Sequence, residues 1–493
     1  MKKLACVLAL LCVASCQPQP DSRPKTDTPY AVGSSTRFIH DLSRGYDAVA
    51  GVDAGLRILI TEVWYPVEHD DVATDRYRRA TYGDYVFGDR EMHQLMMTNT
   101  TFFHLTADTV REGVSAADIE TAIDELFVRE RLSYVDAPLA KTKDTLPVVV
   151  MSHGDAGSRY NMETACEYLA AHGYVVIAPE HTGNSPYSLT GRDPSLDKEN
   201  GDPELLSRMA AVMPHLNALG AYGSDEKFGQ TYVPESNDPD FLRNIDRALL
   251  QRVNDLRATL DELQRMNASG PFTGRLDLQR IGLMGRSFGG MTTLAALVLE
   301  PRFTAGMAVV PLVLPDMRES VPNEWLRSAN EESVVLSANG PFAIGEITKP
   351  TLILSGGEDK LIIGVNAAMA AATGTAMPTP DNPHPTLREA YETTRKPVVW
   401  GLLRDSNHGS FGVSGPFWWP QLKPDTQERF FEPETTFKLV DSQLAHRIQK
   451  EKALQFFDLM IRGDGSARTD LLENQFVEDG FVLETRNLDT TSN

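Results

Sequence analysis

Cysteine is scarce. The 493-residue chain has four, and three of them (Cys6, Cys12 and Cys16) fall in the first sixteen positions. Only Cys166 is left in the body, and one thiol cannot close an intramolecular disulfide, so stability must come from a buried core. Cys166 falls in residues 162–171, which read as an amphipathic helix. That setting suits an inert buried thiol rather than a nucleophile. Positive charge is also short. Lys and Arg number 47 against 68 Asp and Glu, a formal net charge of −21. A surface this acidic repels nucleic acid and anionic headgroups. Beyond the first residues no apolar stretch is long enough for a transmembrane helix. No His-Glu-x-x-His spacing and no phosphate-binding Gly-rich loop occurs, so no metal or cofactor is implied. Apolar residues make up 41% of the chain, enough for a sizeable core. The length is generous for one domain and permits two.

The N-terminus does not read as part of the fold. Lys2 and Lys3 precede an apolar run over residues 4–13, and small residues follow. This is the order of a signal peptide, and the run is too short to span a bilayer. Its end, Val13-Ala14-Ser15-Cys16, resembles the bacterial lipobox, which implies lipidation at Cys16 after removal of residues 1–15. In many bacteria an Asp after that Cys retains the protein in the inner membrane, so Gln17 favours the outer membrane. Attachment would come from acyl chains, because the acidic body repels anionic lipid. Residues 16–29 are polar and Pro-rich and read as an extended tether.

From residue 30 onward one α/β unit is expected. Arg57–Val67 is β-branched and aromatic, hence a strand. Ser115 can cap a helix running to about Arg131, with Asp118 three residues on. Leu146–Ser152 is continuously apolar, as in a strand buried on both faces. A helix over about 160–172 and a strand at 174–178 follow. Further strands are expected at 280–284, 305–310, 351–354 and 397–403, with helices at Phe288–Leu299 and about 441–462. Buried strands alternating with helices predict a mostly parallel sheet with helices on both faces. The Gly-, Pro- and Asn-rich stretch over about 183–241 interrupts this alternation and reads as a lid-like insertion.

Gly285-Arg286-Ser287-Phe288-Gly289, followed by Gly290, sits between a buried strand and an Ala/Leu-rich helix. The pentapeptide alone is weak; strand, sharp turn and helix together are what a nucleophile elbow needs. Ser287 must adopt a strained backbone to project its hydroxyl, and the flanking glycines remove clashing Cβ atoms. A hydroxyl nucleophile needs a base, and the base needs an orienting acid. His384, His408 and His446 follow Ser287. His408 comes just after the 397–403 strand and is favoured; His446 lies within the last helix and His384 follows no clear strand. Asp359, after the 351–354 strand, is the preferred acid, Glu358 the second choice and Asp405 a rival on the His408 loop. The other half of an oxyanion hole comes from an earlier strand's loop, here His153-Gly154-Asp155-Ala156-Gly157. The N–H groups of Asp155 and Phe288 are the expected donors, with His153 bracing the loop. Phe417-Trp418-Trp419 could line a pocket or simply pack on the sheet edge.

Ser-His-Gly-x-x-Gly, a strand ending in Glu180-His181, and Gly-x-Ser-Phe-Gly-Gly together resemble the plasma-type platelet-activating-factor acetylhydrolases within the wider dienelactone-hydrolase-like group. The resemblance spans about residues 57–460, though its specific motifs are short. It implies the α/β-hydrolase fold, a Ser287-Asp359-His408 triad, and hydrolysis of short acyl esters or acetylated lipids without a cofactor. Two positions depart from the pattern. Arg286 replaces the His of the mammalian elbow. Asp155 puts a carboxylate where an apolar residue is common, which opposes an oxyanion unless it turns away or pairs with a cation such as Arg159. An amidase or peptidase with the same triad stays open, and so does a non-catalytic envelope lipoprotein that keeps the fold.

Overall fold

The computed structural model describes residues 28–86, 91, 93–94, 97, 111–185, 202–212, 240–316, 318–328, 331–338 and 346–488. The expected leader, Cys16 and nearly all of the expected tether lie outside these residues, as does most of the expected insertion. The strands are β1 Ala31–Asp41, β2 Arg57–Val67, β3 Arg79–Thr81, β4 Glu130–Val135, β5 Leu146–Ser152, β6 Val175–Pro179, β7 Leu276–Arg286, β8 Phe303–Val309, β9 Thr351–Gly356, β10 Val398–Leu403, β11 Gln427–Glu428, β12 Thr436–Phe437 and β13 Phe481–Arg486. The helices are α1 Ala116–Phe127, α2 Glu163–Ala171, α3 Pro203–Ala210, α4 Phe241–Ala268, α5 Phe288–Leu299, α6 Lys360–Thr373, α7 Pro385–Thr393, α8 Gly415–Trp418, α9 Ser442–Phe457 and α10 Ala467–Leu472.

Among the described residues eleven strands form one sheet in the order β13-β10-β9-β8-β7-β5-β6-β2-β1-β4-β3. The run from β10 to β6 is parallel; β13 and β2 flank it antiparallel. This is the mostly parallel α/β architecture expected from the alternation. β5, β6 and β8, and β7 from Ile281 onward, are buried almost throughout because both faces are covered. One core includes α2 and α9, with Cys166, Trp418 and Phe457; the other includes α4 and α5, with Leu256 and Phe288. Trp418 and Trp419 are buried in the first, and Trp418 meets the ring of Tyr82 edge-on. Packing therefore accounts for the aromatic run.

Three expectations need correction. The helix capped by Ser115 has the expected reciprocal bonds with Asp118 but ends at Phe127, not near Arg131. Residues 130–135 alternate exposed and buried, a period of two, and β4 pairs with β1 and β3. The last helix stops being α at Phe457 and finishes as a π turn over Asp458–Arg462. Within the expected insertion, α3 is a helix capped by Asp202. After it the chain enters the 28-residue α4, which packs on α5 and on the sheet.

Beneath β2 and β6 lies a buried charge cluster. Glu62, Glu163, Glu167 and Glu180 share it with Arg131 and Arg159. Arg159 Nη1 is 3.0 Å from Glu180 Oε1, and Glu167 accepts the N–H groups of Leu132 and Ser133 at 3.0 Å each. Four carboxyls against two guanidinium groups favour protonation. Burial, reinforced by Glu167, pushes Glu163 up to about 8. A folded-state value above the unfolded one stabilises the fold most at low pH, and that contribution fades as pH rises through the folded value. Glu163→Gln should therefore flatten the fall in urea-unfolding free energy between about pH 5 and pH 8 relative to the parent. Identical pH profiles for the two proteins would contradict this.

Candidate active site

Ser287, Asp359, His408 and the 153–157 loop all emerge at one edge of the sheet, the C-terminal ends of β7, β9, β10 and β5. Ser287 has φ 57° and ψ −122°, a strained backbone at the junction of β7 and α5. The glycines make this turn feasible. A Cβ on Gly285 would lie 2.2 Å from Gly289 O, and one on Gly289 would lie 2.0 Å from Ser152 O. The elbow is thus pressed against the end of β5. The leading N–H groups of α5 have no acceptor within the helix and bring its positive end to the Ser287 side chain.

His408 Nε2 is 2.8 Å from Ser287 Oγ, and its Nδ1 is 2.8 Å from Asp359 Oδ2. Asp359 caps α6 by accepting Ile362 N–H. Burial opposes its charge, but His408 and that cap hold its carboxyl below the usual carboxylate range. An ionised carboxylate can only accept, so Nδ1 carries the hydrogen and Nε2 is left to accept from the serine hydroxyl. Asn407 caps the short 3₁₀ turn His408–Phe411 and fixes the imidazole's approach.

The rival residues are engaged elsewhere. Glu358 accepts from Arg429 Nη1 at 2.5 Å and Phe430 N–H at 2.9 Å, and Asp405 accepts from the same Arg429. His384 is buried with Nε2 on Gly356 O. His446 lies between Thr164 and Gly412 O, stacked on Phe417, and burial pushes it down to about 3.

Arg286, next to Ser287, donates to the carbonyl of His408 and lies against Gly412. Burial pushes it down to about 10, with Asp359 opposing. The 153–157 loop lies beside the elbow; a Cβ on Gly154 would be 3.2 Å from Ser287 Cβ. His153 is buried. It accepts His181 N–H at Nε2 and therefore donates from Nδ1 to Gly154 O at 2.6 Å, bracing the loop. Asp155 accepts from Asn184 Nδ2 at 2.8 Å, while Arg159, the expected cation, binds Glu180 and Tyr85 O.

A sequence model described as platelet-activating factor acetylhydrolase, isoform II, matches residues 113–324, which include this loop and the elbow. Over this part of its length the chain is similar to the platelet-activating factor acetylhydrolases. It is 25% identical over 207 residues to the platelet-activating factor acetylhydrolase of Cavia porcellus, covering 40% of this chain and 44% of that one. It is 24% identical over 202 residues to the enzyme of the same name from Gallus gallus, covering 40% and 47%. The alignments thus span less than half the length of these relatives. A ferulic acid esterase from Streptomyces cinnamoneus shares the fold, with a TM-score of 0.51 and 18% identity over 94% of this chain and 98% of that one.

The residues that sequence reasoning missed stand behind the loop: Arg252 and Asp255 of α4, with Asn184. A signal for them existed. Leu249, Val253, Leu256, Leu260 and Leu263 form the buried stripe of α4, and Arg252 and Asp255 stand beside it at helical spacing. Gly289→Ala should destabilise the fold by about 1–3 kcal/mol through overpacking against Ser152, read by urea unfolding. An unchanged midpoint would show that the elbow and β5 separate freely.

Proposed function

We propose that the protein hydrolyses carboxylic esters, short-chain acyl esters or acetylated lipids, through an acyl-enzyme on Ser287. The observation that carries this reading is the continuous hydrogen-bonded line from Ser287 Oγ through His408 to Asp359, built on a strained elbow. His408 Nε2 takes the hydroxyl proton as Oγ attacks the ester carbonyl, and Asp359 holds the imidazolium that forms. The N–H groups of Asp155 and Phe288 receive the oxyanion. His408 then gives the proton to the leaving alcohol, and water frees the acyl group by the same steps in reverse. The acetylhydrolase relatives support an ester rather than an amide as substrate.

Ser287→Ala should abolish labelling by a fluorophosphonate probe and reduce kcat on p-nitrophenyl acetate at least about 10³-fold. Asp359→Asn should retain labelling at a much lower rate. Equal labelling of parent and Ser287→Ala would remove the assignment, and retained labelling with no turnover of any ester would point to a binding role. A panel of p-nitrophenyl esters of increasing chain length reads the acyl preference.

We also propose that Cys16 becomes the lipidated N-terminus, holding the enzyme at the bacterial cell envelope, at the outer membrane. Supporting this are the charged start, the short apolar run, the small residues and the Cys, in that order. Cys16→Ala should move the protein from the detergent-extracted membrane fraction to the soluble fraction and end incorporation of labelled palmitate. Palmitate uptake by the variant equal to the parent's would refute the anchor.

A further inference from the structure

Arg252 is fully buried on the inner face of α4. Its guanidinium donates from Nη1 to His153 O at 2.7 Å, from Nη2 to Gly154 O at 3.1 Å, and from Nε to Asn184 Oδ1 at 3.0 Å. Its Cζ also lies 4.6 Å from the centre of the Phe288 ring. One side chain therefore touches the backbone just before Asp155 and the ring of Phe288, the two residues whose N–H groups are expected to hold the oxyanion. We infer that Arg252 is a positioning residue that orients the oxyanion-binding N–H groups; the inference rests on the ester-hydrolase reading.

The argument comes from the peptide plane. In a trans peptide the C=O and the following N–H point in opposite directions. The carbonyl of Gly154 and the N–H of Asp155 belong to one such plane. Binding Gly154 O to Arg252, with His153 Nδ1 as second donor, turns the Asp155 N–H the other way, outward from α4. Phe288 is held by the cation resting on its ring, at the first residue of α5. Asn184 extends the same device. Its amide oxygen is bound by Arg252 and its amide nitrogen donates to Asp155 Oδ1, so the Asp155 carboxylate is drawn to the buried side that Arg252 occupies. That removes the conflict between a carboxylate and a developing oxyanion on the same loop.

The anchor is itself rigid. Asp255, one turn along α4, accepts from Arg57 Nε at 2.5 Å and Nη2 at 2.7 Å. His181 Nδ1 is 3.0 Å from Asp255 Oδ2, and its Nε2 is 2.9 Å from Ser152 Oγ. Burial, with the nearby Arg252, pushes His181 down to about 3, so it is neutral and accepts the Ser152 hydroxyl proton at Nε2. Ser152, His181 and Asp255 thus mimic a catalytic triad. None of the three reaches solvent, and their role is a strut tying β5 to α4.

A planar fork with several fixed donors can bind two adjacent carbonyls and an amide together; an ammonium cannot reproduce that geometry. The test uses Arg252→Lys in the full chain, with p-nitrophenyl acetate and a trifluoromethyl ketone that forms an oxyanion adduct with serine. Expected is a fall in kcat of about 10- to 100-fold with KM within about 3-fold. Ketone affinity should weaken in parallel with kcat/KM, while a non-reactive ether analogue binds as before. A general loss of packing would weaken the ether as well. Should Arg252→Lys not fold, Asn184→Ala is judged by the same readouts. Folded variant with kcat and ketone affinity unchanged would overturn the inference. Failure of the parent to react with a fluorophosphonate at Ser287 would instead strike the ester-hydrolase reading beneath it.

Discussion

Gly289 and the carbonyl of Ser152 meet with no room for a methyl group, and the geometry of the whole sheet edge follows from that contact. It locks the start of α5 to the end of β5, so the Ser287 turn and the 153–157 loop cannot drift apart. The positive φ at Ser287 costs on the order of 1–3 kcal/mol. It persists because β7 on one side and the buried α5 on the other leave the chain no second path. His408 and Asp359 then need only arrive from β10 and β9, neighbouring strands in the same parallel run. Parallel strands deliver all their C-terminal loops to one edge, which is why residues 49 and 121 positions apart in sequence meet there.

Buried charge is handled in two ways around this edge. On the α4 side the buried charges are closely engaged: Asp255 with Arg57 and Arg44, and Arg252 with carbonyls and an amide. Although burial opposes its charge, these arginines hold the Asp255 carboxyl far below its usual range. On the α2 side carboxyls outnumber cations, and burial raises Glu163, Glu167 and Glu180 toward their neutral forms. A well-paired network makes a rigid support, whereas the carboxyl-rich cluster makes part of the fold sensitive to proton concentration.

The Asp155 departure has a structural answer that could not be read from its neighbours in sequence. Arg159, four residues on, is committed to Glu180, and the tether comes instead from Asn184. Arg286 shows the same lesson. Beside Ser287 in sequence, its guanidinium turns to the loop after β10, where it supports the carbonyl of His408.

The amino-acid sequence by itself determined the parallel α/β framework and the elbow at Ser287, and it offered His408 and Asp359 among several candidates after later strands. Each of these is written in local physics: two- against 3.6-residue periodicity, small residues where no Cβ fits, and capping groups beside helix starts. The helix ending at Phe127 was misjudged because a two-residue period in 130–135 is too short to announce a strand without its partners β1 and β3. Only the tertiary structure decided which histidine faces Ser287, which carboxylate faces His408, and that Arg252 stands behind the loop. Those choices rest on contacts between residues 49 to 121 positions apart, and local preferences carry no information about which distant partner closes a hydrogen bond.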